Sequence, residues 1–263
     1  MTAEYLRVAI EVAREAGAVL AERFAHGSVF TDAKGEFDIV TEADRLAERI
    51  VLDHIRVMFP SHGVVAEESG GYRGSSSMYR WHVDPLDGTK NFARGYPAFS
   101  VSLALEREGE MVVGVVFDPI RAELFAAEHG GGAWRNHERV RVSSVDRLEQ
   151  CLLTTGFPSA ARHRHLDVPS LHHVAMRTQG VRRTGSSALD LSYVACGRLD
   201  AFWDIGLSSW DVAAGLVLVA EGGGTYSDLR GRRFAFTSPD LLASNPNVHQ
   251  LFVTAFSDVL AAR

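Results

Sequence analysis

A chain of 263 residues is long enough for one large domain or two small ones around a sizeable core. Hydrophobic residues make up 46% and charged residues 23%, the balance of a soluble globular protein rather than a disordered or membrane chain. With 27 basic against 33 acidic residues the net charge is −6, which argues against nucleic acid as the main partner, because phosphate-backbone binding draws on a basic surface.

In chain order, "MTAEYLRVAIEVAREAGAVLAERF" reads as an amphipathic helix, with Tyr5, Val8, Val12, Ala16, Val19 and Phe24 at helical spacing and Gly27 closing it. Its scattered charges exclude the unbroken apolar segment of a signal peptide. A second helix starts at "TEAD", where Thr41 and Asp44 make a capping-box pattern; Leu46, Ile50, His54 or Ile55, and Met58 line one face, and Pro60 ends it. Strands are expected in "GVVAEE" and "YRWHVDPL", then through "FSVSLALERE", "EMVVGVVFDPI", "AELFAAEHG" and "RVRVS", an antiparallel meander broken by Gly, Pro and charged turns. The stretch "GYRGSSSM" is a surface loop, "EHGGGAW" a tight hairpin, and Lys34 lies in a loop before "DIVT" that would act at most as a lid. After "CLLTTGF", helices around Ser187–Cys196 and Trp210–Glu221 flank the strand "RLDAFWDIG", and a C-terminal helix follows "GGGTYSDL". No linker or repeat interrupts the chain. Residues 1–263 are therefore read as one mixed α/β domain, with an N-terminal α+β part to about residue 145 and a C-terminal α/β part after it. No run approaches the ~18 apolar residues of a membrane span. Two cysteines, Cys151 and Cys196, are too few for a disulfide framework and fit a reducing compartment, so a cytoplasmic protein is expected.

The chemistry-bearing text is "WHVDPLDGTKNF". Asp84 and Asp87 sit close together at the end of an apolar run, where they repel each other. Magnesium takes oxygen ligands of this kind together with substrate phosphate oxygens, and a pair of ions would turn the repulsion into coordination. It would also meet the charge of a small phosphorylated metabolite. Gly88 permits close approach, and the Gly88 and Thr89 N–H groups open a short helix facing a phosphate. The plainer reading is a capped turn, with Asp87 starting a helix and Asp84 bonded at the surface.

Taken together, "DIVTEAD", "AEES", "WHVDPLDGTKNF" and "SSWDVAAGLVLVAEGGG" resemble the inositol monophosphatase family over nearly the whole chain. The resemblance implies a magnesium-dependent, lithium-sensitive phosphomonoesterase with a layered α-β-α-β-α sandwich of the inositol monophosphatase and fructose bisphosphatase type, usually a homodimer. It implies that Glu67, Asp84 and the Leu86 carbonyl hold one ion and that Asp84, Asp87 and Asp211 hold a second, which stabilises the leaving alkoxide. Glu67 would touch a weaker third ion, and Glu68 would act nearby through water. Asp44, which also fits a helix N3 position, would with Thr89 orient and deprotonate the attacking water, and no covalent enzyme intermediate is implied.

For the substrate, the resemblance brings Gly185, Ser186 and Ser187 near ring hydroxyls, beside the contacts of Asp87, Gly88 and Thr89. A helix N-cap is the other reading of the two serines. Asp190 is a first-turn acid or a neighbour of the site. Asp204 stands where inositol-handling members often carry glutamate, one methylene longer. "DGTKNFARG" resembles instead the histidinol-phosphatase branch, whose Lys90 and Arg94 would meet an anionic substrate or simply be solvated. His163, His165, His172 and His173 read as a histidine-bearing surface loop and helix rather than a zinc site. Histidinol-phosphate phosphatase is thus the rival enzyme. A catalytically silent regulatory module is the non-enzymatic rival, against which the complete acidic set counts.

Overall fold

A computed structural model describes residues 2–27, 31–35, 38–76, 78–156 and 171–261 of the protein. Helices α1 (Thr2–His26) and α2 (Glu42–Met58) form the first layer, beside a hairpin of β1 (Thr31–Gly35) and β2 (Asp38–Thr41). They cover a seven-stranded sheet in the order β3 (Gly63–Ala66), β4 (Tyr79–Asp87), β5 (Ser100–Arg107), β6 (Glu110–Asp118), β7 (Glu123–Glu128), β8 (Gly132–Arg135) and β9 (Glu138–Val140). A short α3 (Thr89–Ala93) follows β4 directly. Helices α4 (Ser187–Ala195) and α5 (Ser209–Glu221) form the middle layer. Beyond them lies a five-stranded sheet in the order β11 (Gly180–Arg182), β10 (Leu152–Thr155), β12 (Ala201–Ile205), β14 (Asp240–Ser244) and β13 (Thr225–Ser227). Helix α6 (Pro246–Ala261) closes the stack, so the layers run α-β-α-β-α as expected. Among the described residues no helix is long and apolar enough to cross a membrane.

The meander is present: β4 to β9 pair antiparallel in sequence, and β3 joins β4 in parallel. Period-two alternation decides what each face sees. On β4, Trp81 and Val83 pack with α1 and α2, whereas His82 bonds to Ser209 at the start of α5 at 2.8 Å. On β12, Trp203 packs toward α6 and Phe202 toward the middle layer. The next position on each middle-facing row is a carboxylate, Asp84 after His82 and Asp204 after Phe202. The site lies where those middle-facing rows reach their carboxylates.

Three expectations need correction. Lys34 lies in strand β1, not in a loop; the polar text "TDAKG" lacks alternation and is a strand because β2 pairs with it. The "DLLAS" run forms β14, too short to declare itself outside its sheet. The buried face of α2 is also turned from the expected one. Ala43, Ala47, Val51, Leu52 and Ile55 are buried, Leu46, Ile50 and His54 are half-buried, and Met58 is exposed. Small alanines on that face let α1 approach, and the same face buries Asp44 and Glu48. His163 and His165 fall outside the described residues, while His172 and His173 lie on a helical turn at 171–175.

Close packing between layers rests on glycine at a few points. A Cβ on Gly114 of β6 would stand 2.5 Å from the Ala214 carbonyl of α5 and 2.8 Å from Val217 Cβ. Helix backbone cannot yield there without moving. Gly114→Ala is expected to lower stability by about 1–3 kcal/mol, the usual cost of overpacking. A chemical denaturation midpoint equal to wild type would contradict this packing.

Candidate active site

The aspartates of "DPLD" reach one side of the sheet through a bulge. Asp84 opposes Ser102 and Asp87 opposes Ser100, so three steps along β4 match two along β5. The extra residue restores the facing that strict alternation would have reversed. Pro85 fits inside this irregularity because no ladder bond needs its missing N–H. The Leu86 N–H donates to Asp84 Oδ1 at 3.0 Å, which steadies the first carboxylate. The chain then turns through Gly88 at φ +103°, where a Cβ would meet the Ala98 carbonyl at 2.9 Å. Only glycine allows that turn.

Thr89, the first residue of α3, points its hydroxyl at Asp44 Oδ1 (2.9 Å) and the Leu86 carbonyl (3.0 Å). Asp44 is fully buried, and its other oxygen accepts from the Thr41 N–H at 2.8 Å and the Thr41 hydroxyl at 2.5 Å. The expected capping box is therefore real, and it leaves Oδ1 for Thr89. Burial raises the Asp44 pKa, and its hydroxyl and N–H donors pull against that rise. Next to it, buried Glu48 accepts the Glu68 N–H at 2.9 Å, fixing the chain that carries Glu67 and Glu68.

The second half of the chain supplies the remaining groups. Asp211 sits in the first turn of α5 and accepts the Ser208 N–H at 2.6 Å. Asp87 is held by the start of α4: its Oδ2 accepts the Ser186 hydroxyl at 2.6 Å and the Ala188 N–H at 2.7 Å. The capped-turn reading of Asp87 thus holds in an altered form, since the helix it caps is α4 and not its own α3. Ser186 is the N-cap of α4 as expected, through a long 3.4 Å bond from the Leu189 N–H. Asp190 is buried and accepts the Thr184 hydroxyl at 2.8 Å. Asp204 is buried with Oδ1 on the Ile205 N–H at 2.7 Å, and its carboxylate lies so close over Gly156 that any side chain there would collide.

The electrostatics are those of crowded like charges. Asp84 is pushed well above the ordinary carboxylate range, first by burial, then by Glu67, Asp87 and Asp211, and by a hydrogen bond shared with Glu67. Asp211 is raised by burial and by Asp87, Glu67 and Asp204, against the Ser208 N–H. Burial lifts Asp87 to about 6 even though Ser186 and Ala188 oppose the rise. Each upward shift marks a place where a positive charge, proton or cation, would be favoured. The donor set is all oxygen, four carboxylates and the Leu86 carbonyl, and it suits a hard divalent cation. Among the described residues, however, no three such side chains already close on one point. The carboxylates share a field rather than a finished cage.

Glu67, Asp84, Asp87, Asp211, Asp44 and Thr89 thus meet by field or hydrogen bond. Gly185, Ser186 and Ser187 border them, while Lys90 and Arg94 lie exposed on and just after α3. Sequence reading missed Glu48, Asn91 and the His82 bridge. Asn91 Nδ2 donates to the Ala98 carbonyl at 2.7 Å and the Thr184 carbonyl at 2.8 Å, joining α3 to the turn before α4. His82 links Ser209 to Glu106, which lies 3.0 Å from its Nε2. The one available signal was period two on β4, which puts His82 on the face of Asp84.

Comparison with known proteins identifies the family and the fold. The sequence pattern of the inositol monophosphatase family matches residues 1–261. An inositol-1-monophosphatase of Mesorhizobium japonicum is 41% identical over 260 residues, 98% of either chain. The Nus factor SuhB of Escherichia coli K12 is 40% identical over 258 residues, 97% of either chain. The crystal structure of the extragenic suppressor protein suhB of Bartonella henselae matches with a TM-score of 0.93 at 39% identity, covering 96% of this chain and 98% of that one. With the match unbroken from the first helix to the last, the chain belongs to the inositol monophosphatase family.

Proposed function

We propose that the protein is a magnesium-dependent hydrolase of small phosphate monoesters, with inositol 1-phosphate-like substrates first. The observation that carries this reading is the set of mutually raised carboxylates, Asp84, Asp87 and Asp211 with Glu67, beside the Asp44–Thr89 pair. Glu67, Asp84 and the Leu86 carbonyl would hold one magnesium ion and Asp84, Asp87 and Asp211 a second, with Glu67 reaching a third and Glu68 acting through water. Bound ions of this kind supply a Lewis acid and a bound water of lowered pKa. The Thr89 proton has two acceptors, Asp44 Oδ1 and the Leu86 carbonyl. A lone pair of the Thr89 oxygen would accept a hydrogen bond from an attacking water while the proton passes to Asp44. Asp44, raised by burial, is the base at the end of that relay.

Thr89→Ala is expected to lower kcat by about 10²–10⁴, the range of general acid–base catalysis, with magnesium binding kept and Thr89→Ser restoring most of the rate. Asp87→Asn is expected to lose at least about 100-fold in activity at fixed magnesium, the upper end of what an outer partner costs. Near-wild-type turnover in either alanine or asparagine variant would refute the role given to that residue.

The raised carboxyls also set a pH dependence. Asp87 goes from an ordinary 3.8 to about 6 in the folded chain, so the folded state holds protons that the unfolded state has lost. Stability of the magnesium-free protein therefore falls as pH rises from about 4 through about 6. Magnesium substitutes for those protons, so its stabilisation should be larger at pH 7.5 than at pH 5. Thermal melts with chelator and with magnesium at both pH values test this; equal increments would overturn it.

A second reading, histidinol phosphate as substrate, is favoured by the exposed cations Lys90 and Arg94 and by an Asp204 that is short and tied to its own backbone. On the family resemblance Gly185, Ser186 and Ser187 would approach an inositol ring, while Asp204 falls one methylene short of the usual glutamate. Turnover of the two phosphoesters side by side separates the readings, and inactivity on both with magnesium present would favour a regulatory module.

A further inference from the structure

We infer that Ser186 is a positioning residue for Asp87 rather than a substrate contact, an inference that rests on the reading of Asp87 as a metal ligand. A serine hydroxyl has one proton. Here that proton goes to Asp87 Oδ2 at 2.6 Å, and the oxygen's lone pairs face the Leu189 N–H at 3.4 Å and the Ser100 hydroxyl at 3.3 Å. The bond to Asp87 is the short one and the cap bond is the long one, so orienting the carboxylate is the stronger of the two tasks. Ser186 is 1% exposed, whereas Ser187 beside it is half-buried.

The two oxygens of Asp87 are treated differently. Oδ2 takes two short donors, from Ser186 and Ala188, and Oδ1 takes a single 3.3 Å contact from the Ser187 N–H. Acceptor capacity remains on Oδ1, which leaves that oxygen available to a cation. The turn that delivers Ser186 is braced from three sides. The Ser186 N–H reaches the Thr184 hydroxyl at 3.3 Å, that hydroxyl donates to buried Asp190 at 2.8 Å, and Asn91 holds the Thr184 carbonyl at 2.8 Å. The C-terminal half thereby sets the rotamer of a carboxylate carried by the N-terminal half.

The test is magnesium affinity by calorimetry on the full chain, in wild type, Ser186→Ala and Ser186→Thr, together with kcat/KM for inositol 1-phosphate and histidinol phosphate. Ser186→Ala is expected to weaken magnesium binding about tenfold, as loss of an outer-shell partner does, and Ser186→Thr to restore it. The ratio of the two kcat/KM values stays at the wild-type figure. Unchanged magnesium affinity in Ser186→Ala, whether or not the melting temperature drops, reduces Ser186 to a helix cap and overturns the inference. A shifted substrate ratio with intact magnesium affinity makes it a substrate contact and does the same. Should Ser186→Ala not fold, Ser186→Cys, close in shape and weak as a donor, stands in under the same criteria. A wild-type chain that takes up no magnesium would instead strike down the metal reading itself, and this inference with it.

Discussion

Holding several carboxylates in one poorly solvated pocket is the constraint around which this molecule is organised. Each such group is costly to bury while charged, and each raises the others. Two kinds of relief are visible in the protein. Backbone N–H groups at element ends take one oxygen each, from Leu86 to Asp84, from Ser208 to Asp211, from Ala188 to Asp87 and from Thr41 to Asp44. The rest shows as a raised proton affinity at Asp84, Asp87 and Asp211, which a proton or a cation would satisfy. Every helix that begins at the site begins there with a donor to give.

That arrangement ties the two halves of the chain together. Helix α5 belongs to the C-terminal half by sequence, yet Gly114 of the first sheet is shaped to its backbone and His82 bonds its first turn. Helix α4 presents its N-terminus to Asp87 of β4, and Asn91 reaches across to the turn before it. The acidic site therefore draws on both halves, with Asp87 of the first held by Ser186 and Ala188 of the second. A helix N-terminus carries partial positive charge, and here two of them are aimed at carboxylates.

The family's members carry names as different as inositol-1-monophosphatase and Nus factor SuhB at nearly equal identity to this chain. Likeness over the whole length therefore does not choose between such jobs. What bears on the choice is local: the acidic set together with Asp44 and Thr89 forms a connected unit, with Thr89 bonded to both Asp44 and the Leu86 carbonyl. Asp204, by contrast, is engaged with its own strand through the Ile205 N–H.

The sequence by itself determined the mixed α/β class, the meander, the capping box and the paired aspartates of "DPLD". Those follow from local rules, namely apolar period, turn residues, capping text and carboxylate spacing. Thr41 with Asp44 is the clearest case, since a capping box is complete within four residues and folded as its text implied. The layer order and the wider acidic set were legible only through the family resemblance of four separated motifs. Tertiary structure decided which oxygen of Asp87 is held and by what, and that the second oxygen of Asp44 meets Thr89. The rotation of α2 came from its packing on α1, the strand of Lys34 from its pairing with β2, and the partner of Asp87 from a serine 99 positions away. Such contacts have no period and no fixed spacing, because they exist only once separate elements have packed, and that is why residue order could name the carboxylates without saying how they are aimed.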